Sequence, residues 1–196
     1  MPNICNNTLS VTCEPEHVKV LDEFQERARG VEPYDEGTEN LERNGTVKLK
    51  YKEYLLCLDK FIPIPRVGGK VIPFSSPDDN DGYKWCLRNW GTKWGAYNID
   101  VTRELYELVY VFSSAWTPPK DAIITIGRMY PQLTFKLEYE ESGCDFEGEL
   151  IVKGEDIEKS EGTYTPVCIV CEEKNKSCVW VEKEDEYYCP KCKEDL

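Results

Sequence analysis

The chain has 196 residues, 40% hydrophobic and 12% aromatic, which suits one medium domain with a small appendage and is too apolar for a disordered chain. Its 24 Lys and Arg stand against 37 Asp and Glu, a formal charge of −13 that repels phosphate backbones unless a local basic patch overrides the average. No apolar run approaches a membrane span, and the opening Met-Pro-Asn-Ile-Cys-Asn-Asn lacks the pattern of a secretory signal, so the expectation is a cytoplasmic protein.

Residues 6–12 read as a short strand. Pro15, between Glu14 and Glu16, opens a helix in which Val18, Leu21, Phe24 and Ala28 recur at helical spacing until Gly30 stops it. Residues 31–46 are polar and read as a loop. Val47, Leu49 and Tyr51 then alternate with Lys48, Lys50 and Lys52, a half-buried strand with a basic outer side, continued by the apolar run 54–58 and closed by Pro63 and Pro65. Residues 66–82 carry the Gly, Pro, Ser and Asp of a surface loop. Tyr83, Cys86, Leu87 and Trp90 line one side of a short helix that Gly91 ends. Residues 97–101 and 105–113 read as strands, the second with Tyr106, Leu108, Tyr110 and Phe112 on one side. Thr117 caps and Pro118 begins a helix through Ile123, Ile126 and Met129. Leu133, Phe135, Leu137 and Tyr139 alternate with Thr134, Lys136, Glu138 and Glu140, and a last strand passes through Phe146, Leu150 and Val152. This order predicts an α+β domain over residues 1–153, an antiparallel or mixed sheet with helices on one face. Residues 154–163 read as a charged linker and 164–196 as a separate ribbon. No internal repeat is present.

The ribbon carries the strongest chemical signal. Cys168-Ile-Val-Cys171 and Cys189-Pro-Lys-Cys192 are two Cys-x-x-Cys pairs with seventeen residues between them, the four-thiolate spacing of a zinc ribbon. Two residues between thiols let one tight turn present both sulfurs to one ion, and the interval suits a hairpin that brings the second turn opposite the first. The expectation is one structural Zn²⁺ on Cys168, Cys171, Cys189 and Cys192, with iron in a rubredoxin-like site as the alternative for tetrahedral sulfur. Four protein ligands leave no open position, so such an ion holds structure together and does not catalyse. A reducing compartment disfavours disulfides, and two matched pairs disfavour a redox-active dithiol. Cys5, Cys13, Cys57, Cys86 and Cys144 read mostly as small core residues, and Cys178 as a spare thiol inside the ribbon. Residues 154–196 hold twelve acids against six bases, so this region is acidic too, and a protein partner suits it better than DNA.

Several stretches occur in a familiar order over residues 1 to about 153. They are the opening Met-Pro-Asn-Ile-Cys-Asn-Asn-Thr-Leu, Lys60-Phe61-Ile62-Pro63-Ile64-Pro65, Trp85-Cys86-Leu87-Arg88-Asn89-Trp90-Gly91-Thr92-Lys93-Trp94, Ala115-Trp116-Thr117-Pro118-Pro119, and Tyr139-Glu140-Glu141-x-Gly143-x-x-Phe146-x-Gly148. By these, this part of the chain resembles the YubB-like ferredoxin-fold proteins carried by bacterial plasmids and phages. The resemblance implies a ferredoxin-like α+β domain encoded on a mobile element. It carries over no catalytic residue, and the C-terminal ribbon lies outside the family core.

The candidate binding surface is Asn89, Lys93, Trp94, Trp116 and Glu140. Trp85, Trp90, Trp94 and Trp116 gather near two Gly- and Pro-rich connections, where indoles can stack on a base or anchor a partner beside Lys93. The plainer reading puts Trp90 and Trp116 in the core and leaves Trp94 the most exposed. Glu140 shares a strand face with Glu138, but a solvated face is the ordinary use of such residues. His17, the one histidine, sits in a first helical turn and offers little for general-base or triad chemistry. Lys48, Lys50 and Lys52 form the one basic stripe, which an ordinary solvent-facing strand also explains. Gly68-Gly69-Lys70 lacks the spacing of a nucleotide cradle. Together these features point to a non-enzymatic interaction protein of a phage or plasmid that binds a host or element-encoded protein through an acidic surface. A sharper form of that reading is a DNA mimic that occupies a basic groove. The alternative is a single-stranded nucleic-acid binder using the tryptophan turns and the lysine stripe.

Overall fold

The computed structural model describes residues 3–34, 50–72, 81–184 and 186–194. In chain order the elements are β1 (Ile4–Cys13), α1 (Val18–Ala28), β2 (Gly30–Tyr34), β3 (Lys50–Tyr54), β4 (Arg66–Val67), β5 (Lys70–Val71), α2 (Gly82–Asn89), β6 (Tyr97–Arg103), β7 (Glu107–Ala115), α3 (Lys120–Met129), β8 (Leu133–Glu141), β9 (Phe146–Lys153), β10 (Asp156–Gly162), β11 (Val179–Val181), β12 (Glu186–Tyr188) and α4 (Pro190–Lys193).

Period-two alternation builds the main sheet, because a strand turns every second side chain to the same side. Six strands pair antiparallel in the order β10-β9-β8-β1-β7-β6. The four strands β8-β1-β7-β6, with α1 and α3 as crossovers, form the βαββαβ arrangement of a ferredoxin-like domain. Register sets Leu9 between Tyr110 and Leu137, and Leu137 beside Leu150; the next inward row is Leu108, Val11, Phe135 and Val152. All eight are buried.

The helices cover that apolar face. In α1, Leu21, Phe24 and Ala28 fall on one stripe and are buried. The Phe24 ring stacks on Phe61 with centroids 5.5 Å apart and meets Phe135 edge-on at 5.3 Å. In α3 the buried stripe is Ala122, Ile123, Ile126 and Gly127. A side chain at Gly127 would strike Val152, so the glycine sets how closely helix and sheet approach. The other sheet face turns Asn6, Thr8, Glu138, Glu140, Glu147 and Glu149 outward.

Several expectations change. Residues 154–163 are no linker: Asp156–Gly162 is β10, the edge strand paired with β9 through a two-residue turn at Gly154 (φ +60°) and Glu155. A strand rich in charge and exposed along its length is how sheets blunt an open edge. The lysine-bearing strand does not join the main sheet. Lys50–Tyr54 pairs with Gly30–Tyr34, part of the expected loop, in a separate two-stranded sheet. Residues 47–49 lie outside the described residues. The run 54–58 leaves the strand and packs Leu56, Cys57 and Leu58 into the core before a 3-10 turn at Leu58–Lys60. Thr117 does not cap α3. Its hydroxyl donates to the Gly91 carbonyl at 2.6 Å, and the helix starts at Lys120.

Gly148 answers a cross-strand need. It stands opposite Tyr139, whose ring lies over it so that its hydroxyl donates to Glu161 Oε1 at 2.8 Å on the next strand. A Cβ at position 148 would sit 2.5 Å from the Tyr139 hydroxyl and 2.6 Å from the Ser160 carbonyl. An aromatic ring covering a strand glycine is a recognised way of fixing register.

Candidate functional site

The four cysteines of the two Cys-x-x-Cys pairs come together. The sulfurs of Cys168, Cys171, Cys189 and Cys192 all lie within 4.8 Å of one another, and Cys171 Sγ is 4.0 Å from Cys189 Sγ. Tetrahedral zinc with bonds of about 2.3 Å requires sulfur edges near 3.8 Å, so the cluster fits one ion after a small contraction. Local backbone chemistry explains the convergence. Glu172 adopts φ +57° and its N–H donates to the Cys168 carbonyl at 2.8 Å, turning the first pair into a knuckle. Pro190 opens α4 after Cys189, and the Lys193 N–H reaches back to the Cys189 carbonyl at 3.0 Å. The β11–β12 hairpin and the bond from Ile169 N–H to the Tyr187 carbonyl at 2.9 Å set the knuckles face to face.

The sulfurs sit in a field that favours thiolate first at one position. Backbone N–H groups of Cys189 and then Cys171 hold the Cys168 thiol down at about 6. Cys192 is pushed up to about 12, by its hydrogen bond to Cys189 and then by burial. A metal that takes all four sulfurs as thiolates releases the protons that they still hold. Cys178 packs in the same small buried cluster as Cys168 and Cys189 but is not one of the four converging ligands. Burial pushes Cys5 and Cys86 up to about 12, the behaviour of inert core thiols.

The ribbon touches the outward sheet face. Lys174 Nζ donates to Glu147 Oε2 at 3.0 Å and to Glu140 Oε2 at 3.4 Å, and the Thr165 hydroxyl donates to Glu147 Oε1 at 2.9 Å. Burial tends to raise the Glu147 carboxyl, but Lys174 and then Thr165 outweigh it, so its pKa lies below the ordinary 4.5. A depressed carboxyl stabilises the contact above that ordinary value and loses the effect as pH falls through the lower folded value. The Glu147 side chain, followed by its proton chemical shifts, should thus titrate with a midpoint below the ordinary 4.5; a midpoint at or above it would contradict the contact.

Of the proposed binding residues, Lys93, Trp94 and Trp116 come together. Lys93 Nζ lies 4.8 Å from the Tyr83 ring centroid, 5.5 Å from Trp94 and 4.5 Å from Trp116, an ammonium held among three aromatic rings. Asn89 instead donates its amide to the Trp85 carbonyl at 2.8 Å, and Glu140 belongs to the outward sheet face with Lys174. Trp90 is core, its indole N–H donating to the Ile62 carbonyl at 3.0 Å. Trp116, placed on the candidate surface and by the plainer reading in the core, is 45% exposed and holds φ +69°, while Trp94 is half-buried. The reversal follows from position: β7 ends at Ala115, and the left-handed residue after it swings the indole off the sheet. Of the lysine stripe, Lys48 lies outside the described residues, and Lys50 and Lys52 are backbone positions in β3. Lys174 and Glu147 were missed because their meeting joins ribbon to sheet across 27 residues, and neither has a local pattern.

Among the described residues no helix is long and apolar enough to cross a membrane. No curated protein matches the chain. The crystal structure of protein api92 from Yersinia pseudotuberculosis is similar, with a TM-score of 0.55 and 10% identity over 84% of this chain and 98% of that one, which is a likeness of fold. Residues 90–175 match the family model described as the ferredoxin-like domain in Api92-like protein, from the end of α2 across β10 and through the first Cys-x-x-Cys pair.

Proposed function

We propose that this protein is a non-enzymatic interaction protein of a plasmid or phage, acting in the bacterial cytoplasm. In it, a ribbon closed by one structural zinc and the acidic outward face of a ferredoxin-like sheet together meet a protein partner. The observation that carries the reading is that register sets Glu138 opposite Glu149 and Glu140 opposite Glu147 on that face. Like charges placed directly opposite cost stability unless they share a cation, as each pair here does with Lys136 or Lys174, so a doubled row of carboxylates suits a partner that supplies further cations. The all-thiolate donor set supports zinc in a shaping role, because four protein ligands leave no position for substrate. The resemblance to YubB-like proteins supports the mobile-element setting, and the rows of carboxylates suit mimicry of a phosphate backbone.

The second reading, a binder of single-stranded nucleic acid, rests on exposed Trp116 beside the Lys93 ammonium. Affinity capture from bacterial lysate separates the two. Full-length protein is expected to retain a protein that elutes with about 0.5 M salt, and a chain with Glu138, Glu140, Glu147 and Glu149 all changed to Gln is expected to lose it. Capture of no protein at low salt, together with retention on an oligo-dT strand that Trp116→Ala abolishes, would reverse the assignment.

A further inference from the structure

Each facing pair of carboxylates on the outward sheet face is bridged by one lysine. Lys136, itself on β8, reaches Glu149 at 2.9 Å and Glu138 at 3.1 Å. The other pair, Glu147 and Glu140, draws its counter-charge from Lys174, which belongs to the ribbon and stays 53% exposed. Exposed ion pairs of this kind are easily exchanged, because water and salt compete with them. Beside Lys174 the sheet opens into a cleft of about 760 Å³, lined by Asn6, Thr8, Glu138, Glu149, Ser160 and Glu161 among others. Its walls come from β1, β7, β8, β9 and β10, and the last contributes because the expected linker is an edge strand.

We propose that this cleft is the docking site for a lysine- or arginine-bearing segment of the protein partner, and that Lys174 is a built-in competitor for the same carboxylates. The proposal rests on the protein-partner reading above and gives that partner its chemistry. Charge complementarity selects the occupant: the cleft offers several carboxylates, and among the described residues Lys174 is the one cation that lines it. Lys174 also shows the mode of recognition, one ammonium shared by carboxylates from two neighbouring strands. The competitor is tied to the metal knuckle. Lys174 follows Cys171 by three residues and bridges backbone to backbone with Val167, while the Cys168 N–H donates to the Glu173 carbonyl at 3.0 Å. An ion held by the knuckle would therefore fix the segment that carries Lys174 over the cleft.

The test uses full-length, metal-loaded protein and fluorescein-labelled deca-lysine, followed by anisotropy at low salt. Lys174→Met is expected to tighten binding about tenfold, and Lys19→Met, the same charge change on exposed α1, by less than about twofold. In the Lys174→Met background, Glu140→Gln with Glu147→Gln is expected to weaken binding about tenfold, against less than about twofold for Glu16→Gln with Glu23→Gln. Equal shifts within each matched set would overturn the proposal, since the peptide would then be reading net charge alone. That result leaves a captured protein partner standing, whereas unequal shifts with no captured partner would keep the cleft and remove the partner reading.

Discussion

Phe24→Ala is expected to lower the free energy of unfolding by about 3–5 kcal/mol, a large part of what a domain this size has in reserve. Phe24 has no exposed surface, and its ring is the meeting point of three elements. It stacks on Phe61, stands edge-on to Phe135 in β8, Tyr110 in β7 and Tyr130 after α3, and so ties the first crossover helix to the sheet and to the insertion between α1 and β6. Truncation removes dispersion contacts and leaves a cavity that rigid strands on one side cannot fill. The cost should appear in urea unfolding as a lower midpoint at unchanged slope, with Leu87→Ala, on the exposed side of α2, as a control within about 0.5 kcal/mol. A loss below about 1 kcal/mol would mean that the ring does not sit in the junction described.

Cys171→Ser is expected to abolish metal binding and unravel the ribbon while the six-stranded sheet stays folded. Structural zinc sites in small domains are worth about 10–16 kcal/mol of apparent binding free energy, and for so small a unit that energy is its folding energy. The ribbon has little else to hold it: its buried cluster is Cys168, Cys178 and Cys189, separate from the main core. Ile169, Val170 and Trp180 remain exposed. The main sheet buries Leu9, Phe135, Leu137 and Val152 without help from any ribbon residue. Limited proteolysis should therefore cut the variant between residues 164 and 194 and leave a stable fragment through β10. Simultaneous melting of the sheet would show that ribbon and sheet fold as one unit.

What could be read from sequence follows from how local each signal is. The strand Leu133–Glu141 announces itself because Leu133, Phe135, Leu137 and Tyr139 must all turn to one side, and α1 does so through Leu21, Phe24 and Ala28. The four-cysteine cluster is legible for the same reason, since a Cys-x-x-Cys turn presents two sulfurs before any tertiary contact forms. The edge strand Asp156–Gly162 was not, because it has one apolar residue and owes its conformation to hydrogen bonds with β9; its available signal was Gly154-Glu155, a tight-turn dipeptide between two extended runs. Whether Trp116 faces core or solvent was not legible, because helical and strand periodicities say nothing about a left-handed residue at a strand end. The Lys174 bridge and the Glu-opposite-Glu register depend on strand pairing and on where the ribbon lands, which no single segment encodes.

Elemental analysis of the full chain, purified under reducing conditions and combined with X-ray absorption at the metal edge, tests most directly for a closed four-thiolate centre. The expected result is about one zinc per chain with four sulfur neighbours at about 2.3 Å. Protein that carries no metal, or a metal with oxygen or nitrogen among its ligands, would contradict it.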